Sequence, residues 1–127
     1  MKTSLSAGMM IRALLTGDAG VTGIARKVFP VITDSAELPY VVYRRLSLEH
    51  SSTKAGMPGA DTVRMEVLCY AGSYQCSVEL AEAVRAALDY KKGVAGGLQM
   101  RSCTLEGGSE SFEGDAYLQE LVFNIKI

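Results

Sequence analysis

The sequence predicts an α+β domain: an antiparallel sheet, mixed at most along one edge, with two helices packed on one face, in the order α-β-β-β-α-β-β. Three observations predict it. Two segments, 7–15 and 80–88, carry apolar residues at the spacing of one helical face. Several others alternate apolar with polar residues or run through β-branched and aromatic ones. The connections are rich in glycine or polar residues, which suits antiparallel neighbours with helices gathered on one side. At 127 residues, the chain fits one domain spanning 1–127.

The first helix rests on Ala7, Met10, Ile11, Leu14 and Leu15, with Ser4, Ser6, Gly8, Arg12 and Thr16 on the other face. Gly17 supplies a left-handed stop, and Gly20 and Gly23 keep 17–25 as loop or a short turn. Val28 to Ile32 is short and apolar, but Pro30 lacks an amide donor, so it forms an edge strand at most. Thr33 to Glu37 is turn-like. Pro39 opens a strand whose body is Tyr40-Val41-Val42-Tyr43 and which runs to about Glu49. Residues 50–61 hold almost nothing to bury and read as a mobile hairpin loop.

From Thr62 to Tyr70 the chain alternates. Val63, Met65, Val67 and Cys69 face one way; Thr62, Arg64 and Glu66 face the other. Leu68 and Tyr70 share that second face, which is therefore partly covered as well. Ser73 caps a helix with the stripe Leu80, Ala81, Val84, Ala87 and Leu88, ending near Tyr90. Gly93, Gly96 and Gly97 break the chain. A last hairpin has Leu98–Leu105 and Tyr117–Ile127 as arms, joined by a long acidic turn over 106–115.

Thirteen basic and fourteen acidic residues give a net charge of -1, a balance unlike that of a protein that wraps nucleic acid or coats an anionic membrane. No apolar run is long enough to cross a bilayer. Met1-Lys2-Thr3-Ser4 is no signal core, so export is not expected. Three cysteines without a CxxC fit free thiols, with Cys69 and Cys103 as small core residues. Cys76 near a helix start has no base beside it.

No catalytic, cofactor or metal site is legible. The one histidine, His50, lies in the polar loop. The glycines at 17, 20 and 23 match neither GxxxxGK[ST] nor a dinucleotide fingerprint. Glu106, Glu110, Glu113 and Asp115 offer oxygen ligands, but their spacing matches no EF-hand. Arg44 and Arg45 should point to opposite faces of their strand, so they should not line one patch. The charge order carries more information. From Ser102 to Ile125 there is no Lys or Arg, yet there are five carboxylates: Glu106, Glu110, Glu113, Asp115 and Glu120. Opposite-sign surfaces suit head-to-tail contact between copies.

The order of motifs resembles the tail-completion or tail-terminator proteins of long-tailed bacteriophages and prophages. The residues that carry the resemblance are the helix ending at Leu14-Leu15, the glycine-rich loop, the Arg26-Lys27-Val28-Phe29-Pro30 segment and the Leu38-Pro39-Tyr40-Val41-Val42-Tyr43 strand. Ser73-Tyr74 and the amphipathic helix through Leu80–Leu88 follow. The long 50–61 loop and the acidic 106–115 turn are departures. The resemblance implies the α+β fold and a ring of identical subunits, commonly six. Such a ring caps the tail tube, meets the head–tail connector, and works in the host cytoplasm during assembly and then at the head-proximal end of the tail.

The implied partners are further copies of the chain, the major tail tube protein and the connector. No catalysis, cofactor, membrane or specific nucleic-acid binding is implied. A head–tail joining protein is the alternative, and a small α+β ligand-binding domain a more distant one. Exposed edges and long loops are the natural assembly surfaces. They nominate Lys54 and Met57 in the 50–61 loop and Glu110, Phe112 and Glu113 in the acidic turn. Phe112, apolar amid carboxylates, calls for a partner pocket or a fold-back onto its own domain. Arg44, Arg45 and Arg64 are candidates to pair with those carboxylates across subunits.

Overall fold

The computed structural model describes residues 2–31, 37–50 and 61–127. Its elements are α1 (Ala7–Thr16), α2 (Ala19–Thr22), β1 (Lys27–Pro30), β2 (Tyr40–His50), β3 (Asp61–Ala71), α3 (Tyr74–Leu88), β4 (Gly93–Ala95), β5 (Leu98–Met100), β6 (Ser102–Glu113) and β7 (Ala116–Lys126). The main sheet runs β1-β2-β3-β7-β6, and β4 and β5 form a separate ribbon. The β2–β3, β3–β7 and β6–β7 ladders are antiparallel; β1 runs parallel to β2. The α+β class and the mixed edge are as the sequence predicts.

Period two decides which side of the sheet is covered. Val41 and Tyr43 on β2, Val63, Met65, Val67 and Cys69 on β3, and Phe123 and Ile125 on β7 share one face, and all are buried. Against them lie Met10, Ile11 and Leu15 of α1 and Leu80, Val84 and Leu88 of α3. Each such side chain contributes about 1.5–3 kcal/mol relative to exposure. Ser73 caps α3 by accepting from the Cys76 amide at 3.2 Å.

Four expectations need correction. Gly17 is not left-handed: its φ is −87°, and the chain re-enters a short helix, α2. Asp18 makes this possible, its carboxylate accepting from the Val21 amide at 3.0 Å; the glycines masked this cap in the sequence. The stretch Leu98–Leu105 is two strands, since β5 pairs with β4 and β6 starts afresh at Ser102. The acidic turn over 106–115 is mostly strand. β6 pairs with β7 as far as Glu113↔Ala116, leaving only Gly114 and Asp115 in the turn. Both have positive φ, 57° and 62°, the conformation of the two-residue turn that matches strand twist. Finally, of the expected mobile loop at 50–61, His50 and Asp61 are strand ends that pair with each other, and 51–60 lie outside the described residues. The end of α3 at Leu88 is near Tyr90, as expected.

The β4–β5 ribbon is held against α1 by close backbone approach. Gly96 has φ +59°, and a Cβ there would lie 2.8 Å from the Met9 carbonyl oxygen and 2.9 Å from the Met10 backbone. Lys2 donates to the Gly96 carbonyl at 2.8 Å. Gly96→Ala should therefore cost about 2 kcal/mol or more, read as a lowered denaturation midpoint. An unchanged midpoint would mean that the ribbon is not seated on α1.

Candidate assembly interface

The sheet ends in two unlike corners. At the first, β1 stops at Pro30, opposite Tyr43, and the Val31 amide closes the ladder on the Tyr43 carbonyl at 2.7 Å. Beyond that point β2 has no neighbour on this side among the described residues. A bulge between Arg45 and Ser47 then turns the strand. The result is a groove of about 530 Å³ whose walls include Leu5, Met9, Pro30, Val31, Arg44 and Arg45. Leu5, Met9 and Val31 are exposed at 68%, 53% and 66%, a large apolar offering for so small a domain.

Arg44 and Arg45 both line this groove, contrary to the expectation that they share no patch. They point to opposite faces, as alternation requires, but at a bare edge both faces of the strand border the same space. Arg45 donates to the Leu5 carbonyl at 3.2 Å, toward the helix side. Arg44 turns to the open face and pairs with Glu66 at 2.7 Å.

That open face is partly self-covered, as Leu68 and Tyr70 imply. Tyr40 stacks on Tyr70 with ring centroids 4.8 Å apart, and Val42 and Leu118 are buried beside them. Glu66 is 5% exposed. Glu120 shares its neighbourhood, and its carboxyl is raised above the ordinary value of 4.5, first by burial and then by the Glu66 charge and hydrogen bond. Arg44 is thus the cation that makes a buried carboxylate tolerable.

At the opposite corner is the tip of the β6–β7 hairpin. Phe112 is 59% exposed and lies edge-on to Tyr117 with centroids 4.9 Å apart. Of the two alternatives for Phe112, the fold-back is partial and leaves most of the ring in water. Tyr117 in turn meets Tyr74 at the start of α3, 6.1 Å between centroids. The Tyr74 hydroxyl donates to Glu110 at 2.9 Å and the Gln119 amide donates to it at 3.0 Å. Those bonds, Gln119's the larger, lower the Glu110 carboxyl pKa.

The nominated residues therefore separate. Arg64 pairs within the chain with Glu106 at 3.1 Å, Arg44 with Glu66, and Glu110 with Tyr74 and Gln119. Arg45, Phe112 and Glu113 stay exposed, whereas Lys54 and Met57 lie outside the described residues. Sequence reasoning missed Leu5, Met9 and Val31. The hint was present: Leu5 and Met9 sit four residues apart and off the Met10–Ile11 stripe, which marks an apolar pair on a second face.

Among the described residues no three of His, Cys, Asp and Glu gather as metal ligands. The cysteines are free, and burial pushes the Cys69 and Cys103 thiols up to about 12. His50 closes β2 and contacts Asp61 across the strand ends at 2.5 Å. Asp61 also accepts from Ser4, and those contacts, Ser4's first, lower its carboxyl pKa.

The family described as "Tail completion protein gp17" matches residues 9–127. The chain belongs to this phage tail-completion family. It is a structural protein of the phage tail. A chain in the solved structure "Virion of native gene transfer agent (GTA) particle" has the same fold, with a TM-score of 0.74 and 18% identity over 98% of each chain. No curated protein matches the sequence.

Folding raises the Glu120 pKa, so this carboxyl favours the native state in acid, and its contribution is lost as pH rises through the raised native value. Glu120→Gln should then raise the melting temperature more at about pH 7 than at about pH 4. Equal shifts at the two pH values would remove Glu120 from the cluster.

Proposed function

We propose that this tail protein forms a homo-oligomeric ring that caps the finished tail tube and joins it to the head connector, and that it acts by shape without catalysis. Membership of the tail-completion family over residues 9–127 carries this reading. Two physical features support it. The domain is rigid where a stopper must be rigid, with long antiparallel ladders behind a continuous core. It also presents unlike surfaces at its two edges, and unlike surfaces joining in a closing rotation make a ring. The α1 groove is open to solvent and largely apolar, unlike an enclosed pocket with converging polar groups.

In this reading the protein assembles in the host cytoplasm and ends in the virion, at the head-proximal end of the tail. Its partners are copies of itself, the tail tube protein and the connector. The test is to mix the purified chain with tail tubes lacking their terminator and view them by electron microscopy. A ring of uniform size at one tube end, with tube length fixed thereafter, is the expected outcome. Binding to filled heads and not to tubes would move the protein to the connector side.

A further inference from the structure

We propose that the β6–β7 hairpin tip of one copy docks into the groove between α1 and β2 of the next, with Phe112 as the anchor and Glu113 facing Arg45. The inference rests on the ring reading and names the surface by which the ring closes. Its first support is charge. The stretch 106–115 holds Glu106, Glu110, Glu113 and Asp115 and no basic residue. The groove lining holds Arg44 and Arg45 and no acidic residue.

The second support is the match of exposed apolar groups. Phe112 stands out of an acidic strand with 59% of its surface in water, while Leu5, Met9 and Val31 line a groove with nothing seated on them among the described residues. Interface cores are enriched in buried aromatic residues and bordered by a polar rim. Arg45 uses one donor on the Leu5 carbonyl, which leaves others of its fork for an incoming carboxylate.

The third support is position. Register places Arg44 level with Glu66, Val122 and Gly107, at the far side of β3 and β7. The groove edge and the β6 edge are thus three strand spacings apart, about 14 Å. Glu113 lies six residues beyond Gly107 along β6, about 20 Å farther. The tip and the groove occupy diagonally opposite corners, too far apart to meet within one chain. A contact between them can only be made by two copies, and it is heterologous, the type that generates rings. The Tyr74 and Gln119 bonds to Glu110 and the Tyr74–Tyr117–Phe112 contacts hold the tip in place before it docks.

The test uses the full chain carrying Cys76→Ser, so that only introduced thiols are reactive at the surface. Met9→Cys, on the groove wall, and Ser111→Cys, beside the Phe112 anchor, are made separately, mixed with each other on tail tubes and treated with a short bismaleimide. Covalent dimers from the mixture, with none from either variant alone, are expected. The double variant should give a ladder that stops at the ring number. In parallel, Arg45→Glu and Glu113→Arg should each weaken ring formation on tubes by roughly tenfold or more, and the two together should restore part of it. Rings on tubes without cross-links and without any charge effect would overturn this interface and leave the ring reading standing. Absence of rings from well-folded unmodified protein on tubes would overturn the ring reading itself.

Discussion

The pairing of β3 with β7 is the contact on which the rest of the molecule depends. Its register runs from Thr62↔Lys126 to Ala71↔Tyr117. It sets which face of the sheet receives α1 and α3, because a slip of one residue would exchange Val63, Met65, Val67 and Cys69 for Thr62, Arg64, Glu66 and Leu68. It also sets the distance between the sheet's two edges. The groove beside β2 and the hairpin built on β7 are each one ladder away from it. If the two edges are the proposed assembly surfaces, this ladder fixes their separation.

Charge is distributed to serve the same end. Arg64 is matched with Glu106, Arg44 with Glu66, and Glu110 with two neutral donors, so these groups find partners within their own domain. What remains outward is simple: an arginine by an apolar groove at one corner, and a phenylalanine among carboxylates at the other. The carboxylates along β6 have a further effect. They line an open edge strand, where charge discourages indiscriminate pairing with other strands. An edge protected in this way still permits a specific contact through the hairpin tip.

Much of the fold was legible in the sequence because period is a direct consequence of packing. The stripe of Leu80, Val84 and Leu88 and the alternation from Val63 to Cys69 report the same core from two sides. Pro30 foretold the edge position of β1, since it cannot donate to a neighbour. The acidic segment was misread as a turn because Gly107, Gly108 and its glutamates have poor strand propensity. Pairing with β7 overrides that propensity, which depends on context more than helix propensity does. Of the proposed interface, Phe112 stands out in the sequence as an apolar residue amid carboxylates, and Glu113 and Arg45 are nominated there by their charge. The groove was not legible there, because it arises from where β1 stops and where β2 bulges, and neither event is written in a residue type.

The central claim is that this tail protein works through two fixed, unlike surfaces that are covered together on assembly. Amide hydrogen exchange, compared between the free protein and the protein bound to tail tubes, tests it most directly. Simultaneous slowing around Phe112–Asp115 and around Leu5–Met9 with Arg44–Arg45 is expected. Slowing at neither corner, or at one corner alone on fully occupied tubes, would contradict it.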